Sequence, residues 1–373
     1  MTTKNILVTG GCGFIGSFLV DRLVKDGHTV RILDNLDPQV HPNSSPPDYL
    51  NEKAEFIKGD IRNREDVGNA LEGIDIVFHE ASAVGVGQSM YEIEHYVDVN
   101  TRGTATLLDV IVNKENNVKK MMVAASMSSY GEGSYECEKC GEIEPELRTE
   151  EQMSKGEWEL ICSKCNGTLR PIATPETKTQ KTNSIYALTK KDQEEMFLQI
   201  GKAYGIPAVS LRYFNVFGPR QSLSNPYTGV IAIFLSRVKN DKPPIIYEDG
   251  LQTRDFVSVH DVVEANVKAM NSSNANYGVF NVGSGKDLSI KEIASTIVEL
   301  CGSEVRTEIT NKFRKGDVRH CFADISKIRS KLEFEPKTSF KEGMKELIEW
   351  SSSVKAEDRF EEAARELKER GLI

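Results

Sequence analysis

The segment TGGCGFIG, residues 9–16, places glycines between two apolar segments of different periodicity. Residues 4–9 have the short apolar run of a strand, and the residues up to Gly27 carry apolar side chains near helical spacing. Glycines in such a strand-to-helix turn let the backbone bend tightly and approach a diphosphate, while the helix start offers free N–H groups to the anion. The turn therefore predicts a dinucleotide site. Its predicted contacts are Gly10, Gly13, Phe14, Ile15 and Gly16.

The alternation of strand and helix continues along the chain. After the strand TVRILD come segments with the composition of a strand, a helix, a strand, a helix and a strand: AEFIKGD, REDVGNALEG, DIVFHEA, VNTRGTATLLDVIVNKEN and KKMMVAAS. Strands that alternate with helices form parallel sheets with right-handed crossovers. The sequence therefore predicts an α/β fold with a Rossmann-type doubly wound parallel sheet.

Changes in composition divide the chain into three parts. Residues 1–213 are predicted to form the dinucleotide-binding domain, and residues 132–175 interrupt its rhythm as an insert. Residues 214–350 have shorter elements separated by Pro- and Gly-containing turns. We predict that they form a smaller C-terminal substrate lobe, with some segments returning to the Rossmann core. Residues 351–373 are predicted to be a helical tail, because their apolar residues recur at helical spacing.

Charge and hydropathy exclude several functions. The 373 residues carry a net charge of -9 at pH 7, whereas a general nucleic-acid surface needs clustered Lys and Arg. We therefore expect no nucleic-acid partner. The sequence has no run of about 18 apolar residues and reaches its first strand at once, which predicts neither a membrane span nor a signal peptide. The expected location is the cytoplasm.

A carboxylate lies where a bound dinucleotide would need one. Asp34 ends the second predicted strand, 18 residues after Gly16, and can accept hydrogen bonds from ribose hydroxyls. The same charge would repel a 2′-phosphate, so the predicted cofactor is NAD rather than NADP. The rest of the predicted cofactor site follows the ends of neighbouring strands: Asn35, Asp60, Ile61 and Ala81.

Tyr186 and Lys190 lie four residues apart in SIYALTK, hence on one face of a predicted helix. An ammonium close to a phenol favours the phenolate and would lower the pKa of Tyr186 from about 10 toward neutrality. Tyr186 is therefore the candidate general base. Ser126, at a strand end in AASMSSYG, can hydrogen-bond the same substrate hydroxyl, and Ser128 in that turn is a predicted substrate contact.

Two C-x2-C pairs lie within the insert. Cys137 and Cys140 are separated from Cys162 and Cys165 by 21 residues, close to the spacing of zinc ribbons. Four thiolates close a tetrahedral shell, so a structural zinc is predicted rather than a catalytic one. Iron in a rubredoxin-like site, two disulfides and free thiols are the alternatives. Residues 132–178 carry eleven acidic and six basic side chains, a poor match to nucleic-acid phosphates.

The order of these motifs resembles the extended short-chain dehydrogenase/reductase family, specifically its NAD-dependent nucleotide-sugar epimerases and dehydratases. The resemblance runs from about residue 4 to 350, without the insert. It is carried by these segments: TGGCGFIG, ILDNL, GDI, VNTRGT, AASMSSYG, YALTK, LRYFNVFGPRQ, RDFVSVHDV, FNVGSG and GDVRHCFAD. It implies a catalytic triad of Ser126, Tyr186 and Lys190, with Tyr186 and Lys190 also in contact with the cofactor.

The resemblance implies further contacts and an assembly. The residues that match positions holding the sugar-nucleotide diphosphate are Asn215, Arg254 and Arg319. Asn100 matches a cofactor-site residue near the active-site helix. Family members of this kind are homodimers, and the implied interface lies on helices near residues 100–116 and 186–204. Two residues depart from the family pattern: Glu80, where an apolar or amide residue is more frequent, and Ser258, where a histidine is frequent.

The residues after Ser126 narrow the reaction that the resemblance implies. Dehydratases and decarboxylases of this family carry an acidic residue there, and 3,5-epimerases and 4-keto reductases use a cysteine. Met127, Ser128 and Ser129 provide neither. The expected activity is therefore 4-epimerisation, in which a sugar hydroxyl is oxidised to a 4-keto sugar and the hydride returns to the other face.

The insert and the segment LRYFNVFGPRQSLSNPYTGV resemble dTDP-L-rhamnose 4-epimerase-like members of the family. This likeness nominates dTDP-L-rhamnose or a related deoxysugar nucleotide as the substrate. UDP-glucose or UDP-N-acetylglucosamine 4-epimerisation is the first alternative, and another nucleotide-sugar dehydratase or reductase is the next. A non-catalytic, NAD-binding regulatory protein is the remote alternative, against which the complete Ser126, Tyr186 and Lys190 set argues.

Overall fold

A computed structural model describes residues 2–372 of the chain. The strands are β1 Asn5–Thr9, β2 Thr29–Asp34, β3 Glu55–Lys58, β4 Ile76–His79, β5 Lys120–Ser126, β6 Ser134–Cys137, β7 Gly141–Ile143, β8 Arg170–Ile172, β9 Ala208–Tyr213, β10 Asn215–Phe217, β11 Ile245–Ile246, β12 Thr253–Arg254, β13 Phe256–Ser258, β14 Val279–Val282, β15 Leu288–Ser289, β16 Glu308–Ile309 and β17 His320–Cys321. The helices are α1 Phe14–Lys25, α2 Arg64–Ala70, α3 Ile93–Tyr96, α4 Gly103–Asn113, α5 Glu150–Ser154, α6 Ile185–Tyr204, α7 Val230–Lys239, α8 Val259–Asn271, α9 Ile290–Leu300, α10 Ser326–Leu332, α11 Phe340–Ser351 and α12 Phe360–Glu369.

Seven parallel strands form the central sheet in the order β14-β9-β5-β4-β1-β2-β3. The order reverses on either side of β1, so the crossovers place helices on both faces, and the predicted doubly wound sheet is confirmed. All seven residues of β5 are buried, as expected for a central strand covered on both sides. The strand β14 belongs to this sheet although its residues, Val279–Val282, lie in the second half of the chain.

The carboxyl ends of β1, β2, β4 and β5 meet at one edge of the sheet. In a doubly wound sheet this edge is where ligands bind, next to the point at which the strand order reverses. The glycine turn, Asp34, Glu80 and Ser126 all follow or end these strands. Among the described residues, no helix is both long and apolar enough to cross a membrane.

The segment predicted as one helix over residues 99–116 begins differently in the structure. A wide π turn covers Val97–Arg102, and regular α-helix begins only at Gly103. Side-chain bonds compete with regular helix there, because the Thr104 hydroxyl donates to the Asn100 carbonyl at 2.6 Å and the Asn100 amide is bound outside the helix.

The insert folds as a small antiparallel sheet in the order β7-β6-β8, with the short helix α5 beside it. Its apolar cluster consists of Tyr135, Cys137, Ile143, Leu160, Cys162 and Leu169. Such a core is too small to supply much folding free energy by burial alone. The C-terminal tail ends in α12, whose Ala363 and Leu367 are buried against the rest of the protein.

Candidate active site

The glycine turn has the close packing that a dinucleotide cradle requires. Gly10 has a φ of +70°, and a Cβ there would lie 2.8 Å from the Ala81 Cα. A Cβ on Gly16 would lie 2.2 Å from the Gly10 carbonyl oxygen, so any side chain at this position would collide with the turn. Gly13 precedes α1 without a side-chain cap, which leaves first-turn N–H groups for an anion. The predicted contacts at Phe14 and Ile15 lie in that first turn and are half-buried.

Asp34 holds the glycine turn from the end of β2. Its carboxylate accepts hydrogen bonds from the Cys12 backbone N–H at 3.0 Å and the Leu36 backbone N–H at 2.9 Å. The side chain is half-buried, and each oxygen keeps lone pairs that can accept from ribose hydroxyls. The position of Asp34 therefore fits NAD.

Asp60 is engaged by neighbouring side chains. Arg62 donates to both of its oxygens, at 2.9 and 2.7 Å, and the Asn35 amide donates at 3.2 Å. The Arg62 hydrogen bonds hold the pKa of Asp60 near 2, so this carboxylate is charged. Ile61 is buried and packs against Gly103 at the start of α4. Asp60 and Ile61 follow the end of β3 at the same edge of the sheet as Asp34, and Asp60 also fixes the local backbone by accepting from the Arg62 N–H.

Ser126 and Tyr186 come together from β5 and α6. The Ser126 backbone is extended, and its side chain caps the 3-10 turn Met127–Tyr130 by accepting from the Ser128 N–H at 3.2 Å. The Ser128 hydroxyl donates to the Ser126 oxygen at 2.9 Å. Burial raises the pKa of the Tyr186 phenol to about 12, and a hydrogen bond with the Ser126 side chain opposes this shift. The arrangement brings a phenol and a hydroxyl to one point, where both can bind the same substrate oxygen.

Lys190 lies one turn along α6 from Tyr186 and is buried. Its ammonium donates to the Gln193 side chain at 2.8 Å and to the Ser82 hydroxyl at 3.4 Å. Burial lowers its pKa to about 8. The expected lowering of the Tyr186 pKa by Lys190 is therefore absent from the described residues alone, in which burial dominates and raises that pKa. A cationic group next to the phenol is still required for it to ionise near neutral pH.

Glu80 adds a carboxyl group to the site from the end of β4. The Tyr213 hydroxyl donates to it at 2.8 Å, and the Asn266 amide donates to that same hydroxyl at 2.7 Å. Burial raises the pKa of Glu80 to about 7, while the Tyr213 hydrogen bond and the Lys190 charge lower it. The charges of the half-buried Glu80 and of Lys190 therefore depend on each other.

Asn100 has a positioning role in this structure. It is fully buried, and its amide donates to the Ala83 carbonyl at 3.1 Å and to the Thr189 hydroxyl at 3.0 Å. Its side-chain oxygen accepts from the Ala83 N–H at 2.7 Å. The predicted direct contact with the cofactor does not fit this geometry, because both amide hydrogens are used. Asn100 instead ties α6 to the loop that follows β4.

Asn215 begins β10 and Arg254 ends β12, two short strands outside the central sheet. The Asn215 side-chain oxygen is buried and has no hydrogen-bond partner within residues 2–372, as expected of a group that binds a ligand. Arg254 is half-buried and donates to the carbonyls of Thr253, Val318 and Arg319 and to the Asp317 carboxylate. Its Nε is the donor that these contacts leave for a diphosphate.

Arg319 was predicted to bind the diphosphate, and the structure corrects this prediction. The side chain is fully buried, and its five guanidinium N–H groups all donate to the carboxylates of Glu159, Glu248 and Asp249, at 2.6 to 3.1 Å. Within residues 2–372 no N–H group of Arg319 remains for a substrate. Glu159 belongs to the insert, so the insert neutralises this arginine.

Arg314 is the residue that the sequence reasoning missed. It lies on the exposed side of the same segment, over the Tyr247 ring at 4.8 Å, and it shares the Asp317 carboxylate with Arg254. Its side chain is 45% exposed, so part of its guanidinium remains accessible beside the Asp317 carboxylate. A signal was present in the sequence, because Arg314 stands in the polar run NKFRKGD, whereas Arg319 directly precedes the buried strand β17.

The four cysteines of the insert form one cluster. The sulfur atoms of Cys137, Cys140, Cys162 and Cys165 all lie within 4.8 Å of one another, and the Cys137 and Cys165 sulfurs are 3.4 Å apart. Two of the cysteines are buried and two are half-buried. The donor set fits a tetrahedral soft metal with no open position, and the predicted convergence of the two C-x2-C pairs is confirmed.

Known proteins are similar to this chain in sequence and in fold. The chain is 35% identical to the dTDP-L-rhamnose 4-epimerase of Burkholderia thailandensis over 93% of its own length and 94% of that enzyme. The crystal structure of Thermotoga maritima UDP-glucose 4-epimerase with UDP-glucose superposes with a TM-score of 0.77 and 31% identity, covering 93% of this chain and 98% of that one.

A second solved structure carries both a substrate and a cofactor. UDP-glucuronic acid 4-epimerase from Bacillus cereus, in complex with UDP-glucuronic acid and NAD, superposes with a TM-score of 0.77 and 27% identity, covering 94% of this chain and all of that one. A sequence model described as the NAD dependent epimerase/dehydratase family matches residues 6–283. This match confirms the resemblance stated from the motifs. The chain belongs to the NAD dependent epimerase/dehydratase family.

Proposed function

We propose that this protein is an NAD-dependent nucleotide-sugar 4-epimerase that uses Tyr186 as the general base. The observation that carries the proposal is the proximity of the Ser126 side chain, at the end of β5, to the Tyr186 phenol, in the first turn of α6. Both lie at the same edge of the central sheet as the glycine turn. The turn after Ser126 holds Met127, Ser128, Ser129 and Tyr130, none of which is a carboxylic acid or a thiol. The family members with 4-epimerase names described above support the same activity.

The residues at the site have separate roles. Tyr186 takes the proton from the C4 hydroxyl and returns it to the C4 oxygen after the 4-keto sugar has rotated in the site. Ser126 donates a hydrogen bond to the C4 oxygen and holds it against the phenol, with Ser128 behind it. Lys190 supplies positive charge at the helix face below the phenol. Because the chain alone leaves the pKa of Tyr186 near 12, the base becomes effective only when further positive charge lies beside it.

NAD fits the cradle formed by Gly10, Gly13, Gly16 and Asp34, and it supplies the hydride acceptor and donor for C4 when bound. The chain keeps the sugar nucleotide in place while the 4-keto sugar rotates, because the diphosphate is held at the lobe. We assign that anchor to the guanidinium groups of Arg254 and Arg314 and to the side-chain NH2 group of Asn215, since each can donate to phosphate oxygens.

The proposed substrate is dTDP-L-rhamnose or a related deoxysugar nucleotide. It is supported by the 35% identity to the Burkholderia thailandensis enzyme over nearly its whole length. A specific observation favours UDP-glucose or UDP-N-acetylglucosamine as the second candidate, since the superposed Thermotoga maritima structure is a UDP-glucose 4-epimerase at 31% identity. The two candidates differ in base and sugar, so one panel of substrates separates them.

We also propose that the insert is a zinc ribbon, with zinc bound by Cys137, Cys140, Cys162 and Cys165. Convergence of the four sulfur atoms supports this proposal. The binding free energy of structural zinc is about 10–16 kcal/mol in zinc-finger peptides. In the insert it would supply folding free energy that the small apolar core cannot provide by burial. A ribbon of thiolates is stable in a reducing compartment, and the proposed location is the cytoplasm.

The proposed assembly is a homodimer that pairs α4 and α6 with their counterparts. Ile93, Val97 and Leu188 support it, because these apolar side chains are 40 to 50% exposed. Val97, in the π turn before α4, and Leu188, in α6, each lie four residues before the partners of one hydrogen bond, in which the Thr101 hydroxyl donates to Asp192 at 3.1 Å. An exposed apolar patch of this kind marks a protein interface more often than free surface.

A turnover assay tests the proposed function. Purified protein is incubated with dTDP-, UDP- and GDP-sugars without added cofactor, and the products are resolved by NMR. The proposal predicts interconversion of C4 epimers with one sugar class preferred, and NAD released on denaturation. A 4-keto-6-deoxy product, or no turnover of any sugar in a protein that holds NAD, would contradict it.

A further inference from the structure

The insert contacts one segment of the substrate lobe along its whole length. This segment, residues 313–320, carries Arg314 and the Asp317 carboxylate that joins Arg314 to Arg254. At its start, Phe313 packs against Trp158 of the insert with ring centroids 6.5 Å apart. At its end, Glu132 accepts from the backbone N–H groups of Arg319 and His320, at 2.8 and 3.3 Å.

A buried charge cluster joins the insert to the lobe between these two ends. Arg148 of the insert is fully buried and donates to both oxygens of Glu248 at 2.8 and 2.9 Å. Arg148 also donates to the Asp317 carbonyl at 3.1 Å, and thus holds the backbone of the residue that bridges the two arginines. Bidentate contacts of this kind fix orientation as well as position.

Glu248 is the centre of the cluster and has an unusual backbone. Its φ is +55°, in the left-handed region that favours glycine, and its side chain is 2% exposed. A glycine there would relieve the backbone strain but would leave Arg148 and Arg319 facing each other without this carboxylate. Burying two arginines requires paired carboxylates, and removing one partner leaves a charge uncompensated. The strained residue is therefore tied to the presence of the insert.

We propose that Arg148 and Glu248 are positioning residues for substrate binding, through which the insert sets the placement of Arg314 and Arg254 at the diphosphate. The inference rests on the proposed function for the identity of the ligand. The insert then has no group in the chemistry at Tyr186. It acts instead on the affinity for the nucleotide diphosphate, and the NAD cradle on the other side of the sheet edge is independent of it.

The test is equilibrium binding of dTDP and of UDP to the NAD-loaded protein by titration calorimetry. Arg148→Met is compared with Arg170→Met, a matched control because Arg170 lies in the same insert and pairs with Glu136 at an exposed position. We expect the first substitution to weaken binding about tenfold and the second to change it by less than roughly twofold. Bound NAD should be the same in both variants.

A double-mutant cycle distinguishes positioning from loss of fold. In an Arg314→Met background, Arg148→Met should weaken binding less than it does in the wild-type protein, because one of the two arginines that it positions is gone. An unchanged affinity of Arg148→Met, or an equal loss with and without Arg314, would overturn the inference. If Arg148→Met gives no folded protein, Arg148→Lys carries the test, because it keeps the buried charge and loses the bidentate contact with Glu248, and wild-type affinity of that variant overturns the inference.

The same binding measurements distinguish failure of the proposed function from failure of the positioning role. Wild-type protein that binds neither dTDP nor UDP would contradict the proposed ligand class itself, and the inference with it. Wild-type binding together with unchanged affinity in the insert variants would overturn only the positioning role. In steady-state assays the same variants should raise the KM for the sugar nucleotide and leave kcat near the wild-type value.

Discussion

The Ser126 side chain lies next to the Tyr186 phenol and opposes the rise of its pKa, although 60 positions separate the two residues in the chain. The insert fills most of that interval, so β5 and α6 meet across it without disturbance. Tyr186→Phe removes only the ionisable hydroxyl and should lower kcat by about 10²- to 10⁴-fold. Initial rates measured by NMR on the preferred sugar nucleotide check this expectation.

The same variant should retain NAD and its unfolding temperature, because the ring still packs edge-on against Tyr96 at 6.4 Å. Near-normal turnover by Tyr186→Phe would show that another group is the base. A loss of NAD together with activity would place Tyr186 in cofactor retention instead of proton transfer.

Glu80 should control the alkaline side of the pH profile through Lys190. The negative charge of Glu80 raises the pKa of Lys190, which burial lowers to about 8. Glu80→Gln removes that charge, so the Lys190 pKa should fall further and the ammonium should lose its proton at a lower pH. The alkaline limb of kcat/KM should therefore move to lower pH in Glu80→Gln.

Glu94→Gln is the matched control, since Glu94 is an exposed acid outside the site and should leave the limb in place. A limb that stays fixed in Glu80→Gln would mean that Lys190 does not titrate in the working enzyme. A shift toward higher pH would contradict the sign given by the charge of Glu80.

The cysteine cluster should hold one zinc ion per chain. Cys140→Ser removes one ligand, so the variant should bind less zinc and unfold at a lower temperature, because metal binding stabilises the insert. Cys301→Ser is the control, as Cys301 is half-buried and lies outside the cluster. Elemental analysis and thermal unfolding give the two readouts. Folded wild-type protein without zinc, or with iron in its place, would contradict the assignment.

The apolar surface formed by Ile93, Val97 and Leu188 should be the dimer interface. Charged residues there would be buried without partners, so Val97→Asp combined with Leu188→Asp should convert the dimer into monomers. Light scattering after gel filtration measures the mass. Leu251→Asp, at another exposed apolar position, should leave the mass unchanged. A wild-type monomer at micromolar concentration would contradict the proposed assembly.

Much of the secondary structure could be predicted from local sequence patterns. The strand TVRILD was predicted over the residues that form β2. The helix predicted from SIYALTKKDQEEMFLQIGKAYG, residues 184–205, differs from α6 by one residue at each end. The helix has clear boundary residues, since Ser184 caps its start and Gly205 ends it. The start of the helix near residue 97 was predicted less well, because the π turn depends on contacts of Asn100 with residues distant in sequence.

The parts of the site that the sequence did not predict depend on burial. Arg314 and Arg319 are five positions apart, and only the fold shows that one is exposed and the other faces three carboxylates. One of those carboxylates, Glu159, comes from the insert, whose docking surface has no local sequence signal. The pKa of Tyr186 was predicted from the charge of Lys190, but desolvation of the phenol is the larger effect.

The central claim is that C4 of a bound sugar is oxidised and reduced within one binding event. The direct measurement uses the preferred nucleotide sugar deuterated at C4, turned over in ordinary water, with the product analysed by NMR and mass spectrometry. The account predicts inversion at C4 with the deuterium retained on that carbon, because the hydride never exchanges with solvent. Inversion with the deuterium lost to water, or a label found at another carbon, would contradict it.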